Sequence, residues 1–527
     1  MRDFHLPGRS TAYARGGMAA TSHPAGAKAA VDLLEAGGNA VDAAIAGAVA
    51  LGFCEPAMTG LGGDMFALVA REGTGAVVGV NGSGRAPAGA DAARLRARGL
   101  TEIDEGAADG VVVPAAVAGF ELLARDHGVK GLDAALQPAI RLAEEGVPTA
   151  PRAAFDWELA AGRLTGAARR HLTLDGRAPR PGDVMRYPGQ AEVLRRIARD
   201  GARAFYEGEV AEDMVAGLSA LGGAHTLDDF ARCRADYVDP IAAPYRDHEI
   251  VELPPNGHGA TALLLARILE HFDLAALDPL GPERAHLEIE AAKLAYAARD
   301  EAVADPEHMT VPVEELISAE RADAFAARID RERAMEVPRG LMGAPHRDTI
   351  YITVVDRDRT AVSLIYSIFS SFGSAICSEK FGINFNNRAT GFVLTEGHPN
   401  ELGPAKRPLH TIIPGLLRKE GRTVMPFGVM GGQYQPTGHA RLLTNILDYG
   451  MDVQQAIDAP RLFHDGRLVE MERGYPAEVR PALEAMGHRT AERHVPLGGA
   501  QAILIDRDRG VLIGGSDPRK DGIALGF

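Results

Sequence analysis

The spacing of apolar and polar residues along the chain changes period several times. Residues 24–36, PAGAKAAVDLLEA, put Ala27, Val31 and Leu34 on one helical face, and Pro24 suits a first turn. Gly37 and Gly38 end that run. Asn39 is placed to cap a second helix, AVDAAIAGAVALGF, whose small apolar residues on all sides predict burial. GLGGDMFALVARE reads as a glycine-rich turn entering a strand, and AVVGVNGSGRAPAGA as a strand followed by a loop carrying Arg85. Residues 115–235 carry mostly helical spacing. EIVELPPNGHGATALLLARILEHF predicts a strand, a turn and a helix, and AHLEIEAAKLAYAARDEAVADP a long helix. Residues 312–342 are charged and helical, and EVPRGLMGAPHRD, rich in Pro and Gly, predicts an exposed linker. From residue 349 onward short strands alternate with turn signals. Mixed helices and strands with an antiparallel C-terminal part predict layered α/β or α+β structure.

Composition narrows the function classes. The 527 residues allow a large core, with roughly two to four domains by length alone, or one large unit. Gly is in excess, 61 of 527 residues against a usual level of about 7%, so tight turns and close backbone approaches are numerous. A net charge of −15 argues against a nucleic-acid partner, which needs a basic face. Cys54, Cys233 and Cys377 are odd in number and far apart, which predicts reduced thiols rather than disulfides or a zinc site. The histidines form no HExxH motif, so no metal is expected, and no cofactor. GLGGDM lacks the third glycine of a dinucleotide fingerprint. His258 in PPNGHG reads as a structural loop residue. No basic-then-apolar leader and no long apolar run stand in the sequence, so the expectation is a cytoplasmic protein without a membrane partner.

The stretch HRDTIYITVVDRDRTAVSLIYS carries the candidate chemistry. IYITVV and AVSLIY are β-branched and aromatic, and DRDRT between them is a turn. A turn centred on Asp358 makes paired residue numbers sum to 716, so Val355 faces Ala361 and Thr349 faces Ser367. Both strands are apolar on both faces, which predicts a covered, central place in a sheet. A threonine hydroxyl needs a base to become a nucleophile. If the chain is cut after Asp348, the new α-amine of Thr349, with a pKa of roughly 7.7–8, can serve. A polar linker running into a rigid strand suits such a cut. A plain strand threonine fits the same residues, and this stretch alone leaves both readings open.

Motifs along nearly the whole chain decide between them. They include GGMAATSHPAGAKAAVDLLEAGGNAVDAAIA, EPAMTGLGGDMFAL, GVVVPAAVAGF, FYEGEVAEDMV, LGGAHTLDDFA, LPPNGHGATALLLARIL, HLEIEAAKLAYAARDEAVADP, DTIYITVVDRDRTAVSLIYS, KRPLHTIIP, GVMGGQYQPTGH, IDAPRLF and GGSDPRKDG. In this order they resemble the γ-glutamyltranspeptidase family of N-terminal-nucleophile hydrolases. The resemblance implies an α+β fold, a four-layer αββα sandwich. It implies a precursor that cleaves itself between Asp348 and Thr349 into residues 1–348 and 349–527, both parts of one intertwined domain. Thr349 would then form an acyl-enzyme and pass the acyl group to water or an amine. Gly431 and Gly432 match the oxyanion hole, where backbone N–H groups must come close to the substrate. Ser367 matches a hydroxyl that supports the nucleophile, in agreement with the hairpin register. Asp517, Pro518 and Arg519 match a motif that reads as structural.

The substrate-holding positions depart from the family pattern. Phe369 stands where Asn is expected, Arg388 where Gln is typical, and Gly391 where an Asp pairs with the substrate ammonium. His410 and Thr411 replace a Ser-Ser pair, and Arg85 is the nearest arginine to the one that grips an α-carboxylate. Arg85 and Arg388 read equally as carboxylate forks or as structural ion pairs. The resemblance therefore implies γ-glutamyl hydrolysis or transfer on glutathione-type substrates. The alternative is a cephalosporin-acylase-like or small-amide hydrolase without γ-glutamyl specificity, and a further alternative is an uncleaved, non-catalytic binding protein. The partners implied are a small amide or peptide and the two fragments themselves, with a homo-oligomer left open.

Overall fold

In the computed structural model, which describes residue 5, residues 8–336 and residues 349–527, two antiparallel sheets pack face to face between two helical layers. The first sheet runs, from edge to edge, Ile523–Gly526, Met18–Thr21, Ile350–Val355, Ala361–Ser367, Asp64–Ala70, Val77–Gly82 and Asp236–Val238. The second runs Ala12–Ala14, Val511–Ser516, Gly499–Asp506, Arg422–Met430, Gly415–Lys419, His248–Glu252 and Ile241–Tyr245. Both sheets mix strands from before and after Thr349. The expected αββα sandwich is therefore the architecture, and residues 1–348 and 349–527 share both sheets.

The helices form where the sequence places them. Pro24–Glu35 starts on its proline, and Ala40–Cys54 starts on Asn39, whose side chain accepts the N–H groups of Val41 and Asp42 in a capping box. Every residue of Ala40–Cys54 is buried, which its lack of an apolar stripe required. That helix covers the outer face of the central hairpin, where Ile350, Ile352 and Val354 join its core. Gly259–Glu270, Pro282–Ala302 and Gln435–Leu447 cover the outer face of the second sheet, against Leu417, Met425, Phe427 and Val429. Between the sheets lies a third apolar layer that includes Phe66, Leu68, Tyr351, Val355, Ile365, Leu416 and Ile503. Even-numbered residues of Ile350–Val355 thus face helices, and odd-numbered ones face the other sheet.

The linker expected at 336–348 lies, apart from Glu336, outside the described residues, as does Asp348. All three cysteines are free. Among the described residues no helix is long and apolar enough to cross a membrane.

The two sheets are tightly packed at Gly428, where an added Cβ would lie 2.3 Å from Cε2 of Tyr351. Tyr351 follows Thr349 by two residues on the same face. Gly428→Ala is expected to destabilise the protein by about 1–3 kcal/mol through overpacking, read as a lowered Tm. Alanine at exposed Gly450, which no atom crowds, is the comparison; its positive φ makes it mildly unfavourable on its own.

Candidate active site

Register builds the site. Ile350 pairs with Tyr366 and Val355 with Ala361, so the paired numbers sum to 716 throughout. On the next strand Ser367 pairs with Asp64. Carried one residue beyond Ile350, the ladder puts Thr349 opposite Ser367, and Thr349 Oγ1 donates to Ser367 Oγ at 3.1 Å. Thr349, Ser367 and Asp64 therefore stand in a row across three strands, facing the inter-sheet layer at one end of the sheet. All three are buried.

Ser367 Oγ also accepts the Phe369 N–H at 2.9 Å and Arg388 Nη2 at 3.2 Å. Ser367 Oγ is thus the point on which the Thr349 hydroxyl, the Phe369 N–H and the Arg388 guanidinium converge. Arg388 is buried and spends its other nitrogens within the cluster. Its Nε donates to Asp64 Oδ2 at 3.3 Å and its Nη1 to Thr411 Oγ1 at 3.0 Å. The Phe369 ring lies against the guanidinium, 4.0 Å from Cζ to ring centroid, in cation–π contact. Phe369 has φ +80°, which a side chain rarely adopts, so the backbone after Ser367 is held in a strained turn.

Asp64 takes up the charge of Arg388. Its other oxygen accepts the Gly84 N–H at 2.9 Å, and His410 Nε2 lies 3.1 Å from Oδ2. Burial, followed by the Arg388 guanidinium, pushes the His410 pKa down to about 4, so the ring is neutral. Its Nδ1 accepts the Ile412 N–H at 3.3 Å, which leaves Nε2–H to donate to Asp64.

The glycine pair reaches this end of the sandwich along the strand Arg422–Met430. Ser363 Oγ donates to the Phe427 carbonyl at 3.1 Å, and Gly428 abuts Tyr351. Each step along that strand thus climbs toward the Thr349 end. Gly431 and Gly432 then take φ +130° and +57°, and the helix Gln435–Leu447 begins. Buried backbone N–H groups just ahead of a helix start suit a developing negative charge.

Of the residues singled out in the sequence, Thr349, Ser367, Phe369, Arg388, His410 and Thr411 form one contact network. Arg85 stands apart: its guanidinium bonds Asp305 at 3.2 Å, an ion pair, and the Ala405 carbonyl at 2.9 Å. At Gly391 an added Cβ would lie 2.5 Å from the Leu409 carbonyl oxygen, so this backbone has no room for an aspartate. Asp64 escaped the sequence reading. Its signal was a lone carboxylate heading the otherwise apolar DMFALVA strand.

One group of described residues has the makings of a metal site, His286, Glu290 and His488. The Lys293 ammonium, 2.7 Å from Glu290 Oε1, already supplies the positive charge there, and the Met335 N–H takes the second oxygen. His286 Nδ1 lies 2.8 Å from His488 Nε2, a direct hydrogen bond.

Two outcomes follow for this cluster. Asp64→Asn strands the Arg388 charge in the interior and should cost roughly 3–5 kcal/mol in denaturant unfolding, part of which Asp64→Asn with Arg388→Met recovers. The His410 imidazole binds its proton less readily folded than unfolded. Its contribution is therefore complete above pH 6.5 and is lost as pH falls toward about 4. The slope is at most about 1.4 kcal/mol per pH unit. His410→Gln should flatten stability in that window.

Comparison with known proteins agrees with this geometry. A γ-glutamyltranspeptidase family profile matches residues 26–527. The glutathione hydrolase-like YwrD proenzyme of Bacillus subtilis is 35% identical over 522 residues, covering 97% of this chain and 98% of that protein. The oxamate amidohydrolase proenzyme of Klebsiella pneumoniae is 33% identical over 528 residues, covering 97% and 98%. The crystal structure of cephalosporin acylase from Bacillus halodurans superposes with a TM-score of 0.93 at 39% identity, over 100% of this chain and 99% of that one. The chain thus belongs to the γ-glutamyltranspeptidase family, as an amidohydrolase of the N-terminal-nucleophile type in its acylase-like branch.

Proposed function

We propose that this protein matures by cutting itself before Thr349 and then hydrolyses amides whose acyl group carries no α-ammonium. In the first step Thr349 Oγ attacks the carbonyl of residue 348. The C–N bond breaks, the acyl group passes from nitrogen to oxygen, and the nitrogen takes up the hydroxyl proton. Water then cleaves the ester and leaves a free α-amine on Thr349. In turnover that amine takes the Thr349 hydroxyl proton as Oγ attacks the substrate amide, and delivers it to the leaving amine. Ser367, oriented by Arg388 and the Phe369 N–H, holds the hydroxyl in place. The N–H groups of Gly431 and Gly432 receive the oxyanion. Water, or an amine acceptor, releases the acyl group.

The observation that carries the specificity is Arg388, whose Nη2 sits 3.2 Å from Ser367 Oγ with Phe369 stacked on it. Paired with Asp64, the guanidinium presents N–H donors that suit an oxygen-rich acyl group, and the Asp64 carboxylate is spent on it rather than on a substrate ammonium. The lack of space for a carboxylate at Gly391 points the same way. Relatives named as an oxamate amidohydrolase and as acylases support small or non-glutamyl acyl groups. Relatives named as glutathione hydrolases support the second reading, γ-glutamyl transfer.

Intact-mass analysis and N-terminal sequencing are expected to give two fragments, the smaller beginning at Thr349, and Thr349→Ala is expected to stay whole. A stable uncut wild-type chain would favour the binding-protein reading. On p-nitroanilides, kcat/KM for glutaryl and small acyl groups should exceed that for γ-glutamyl by roughly 10- to 100-fold, the worth of one charge-assisted contact. The opposite order would establish the γ-glutamyl reading.

A further inference from the structure

We propose that Tyr296 and Arg299, on the helix Pro282–Ala302, are positioning residues that set the oxyanion donors by clamping Gln433. The inference rests on Gly431 and Gly432 as those donors. Two successive glycines with left-handed φ have no side chains to hold them and wide conformational freedom. The donors are useful only if their N–H groups are already aimed when charge develops. Something outside the pair must fix it.

The next residue is gripped at two points. The Tyr296 hydroxyl donates to the Gln433 backbone carbonyl, and Arg299 Nη1 donates to Gln433 Oε1. Together they hold both the main chain and the side chain of the first residue after the glycines. The turn is closed from the other side by the Tyr434 N–H, which donates to the Gly431 carbonyl at 3.1 Å.

The clamp is itself rigid. Arg299 is 1% exposed. Its Nε donates to Asp300 at 2.7 Å, and its guanidinium lies 4.7 Å from the Tyr296 ring centroid. Its Nη1 also lies 3.5 Å from His258 Nδ1. The His258 N–H in turn donates to the His410 carbonyl at 3.0 Å, and His410 sits on Asp64. One chain of contacts thus joins the oxyanion turn to the wall that holds Arg388 and Ser367. Both clamp residues precede Thr349, whereas the glycines follow it, so residues 1–348 would position the donors of residues 349–527.

The test compares Tyr296→Phe, Arg299→Met, Arg299→Lys and Gln433→Ala with the parent protein, on an acyl-p-nitroanilide that the parent turns over. Rates are divided by the amount of free Thr349 N-terminus, so that incomplete maturation does not count as slow turnover. The expected result is a kcat lowered roughly 10- to 100-fold with KM nearly unchanged in Tyr296→Phe, Arg299→Met and Gln433→Ala, and a partial return in Arg299→Lys. In variants that mature, an unchanged kcat per free Thr349 N-terminus, or a loss confined to KM, would overturn the proposal. The proposal extends to self-cleavage, in which the same glycine N–H groups would receive the oxyanion formed at residue 348; if a variant accumulates uncut, the rate of self-cleavage after cell-free synthesis is read instead. Slower cutting in a variant with parental Tm supports the clamp, and slower cutting only in proportion to lost Tm counts against it. A parent that is cut yet inert on every anilide would instead bring down the substrate reading while the cleavage rates still judge the clamp.

Discussion

Strand register is the constraint on which this site depends. Thr349 and Ser367 stand at the two ends of one hairpin and Asp64 far away in sequence, and only the pairing of three neighbouring strands sets them in a row. A slip of one residue in either ladder would turn one of them toward the helical layer. The register is pinned from several directions. Apolar residues on both faces of Ile350–Val355 must meet two different cores, and Tyr351 must fit over Gly428. Its carbonyl also accepts the Thr21 hydroxyl at 2.7 Å. The geometry of a hydroxyl pair is thus enforced by packing that reaches well beyond the pair.

Into this apolar frame the chain places a full ion pair, Asp64 with Arg388. Such a pair contributes little net stability when buried, because desolvation offsets attraction. Its use is electrostatic. Asp64 keeps the guanidinium in the interior, and the guanidinium holds Ser367 and Thr411. Neutral His410 completes the shell of Asp64 without adding a second positive charge. The strained Phe369 backbone belongs to the same device, since it delivers both an N–H to Ser367 and a ring to Arg388.

Much of this was legible in the sequence because the signals were local. The helix at Ala40–Cys54 announced itself by Asn39 and its all-apolar run, and the hairpin register followed from the turn at Asp358. The departures at Phe369, Arg388 and Gly391 stood out because flanking motifs fixed their places. Arg85 stayed open, since a sequence position does not say which way a long side chain turns; its guanidinium turns to Asp305, far along the chain. Asp64 was invisible for the complementary reason. Its partners Arg388 and His410 lie more than three hundred residues away, and only the assembled sheets bring them together.

The same sheet explains how a cut before Thr349 would leave the protein whole. The strand Ile350–Val355 is flanked on one side by Ala361–Ser367 and on the other by Met18–Thr21. The latter pairing begins at Ile352, so near the cut Ile350 is held in the ladder by Tyr366 alone. A freed end there would gain room for an amine beside its own hydroxyl. The rest of the strand, hydrogen-bonded on both edges and covered on both faces, would stay in register. Cleavage would then change the chemistry of one residue, and the packing that positions Ser367, Arg388 and the glycine turn would be the same before and after it.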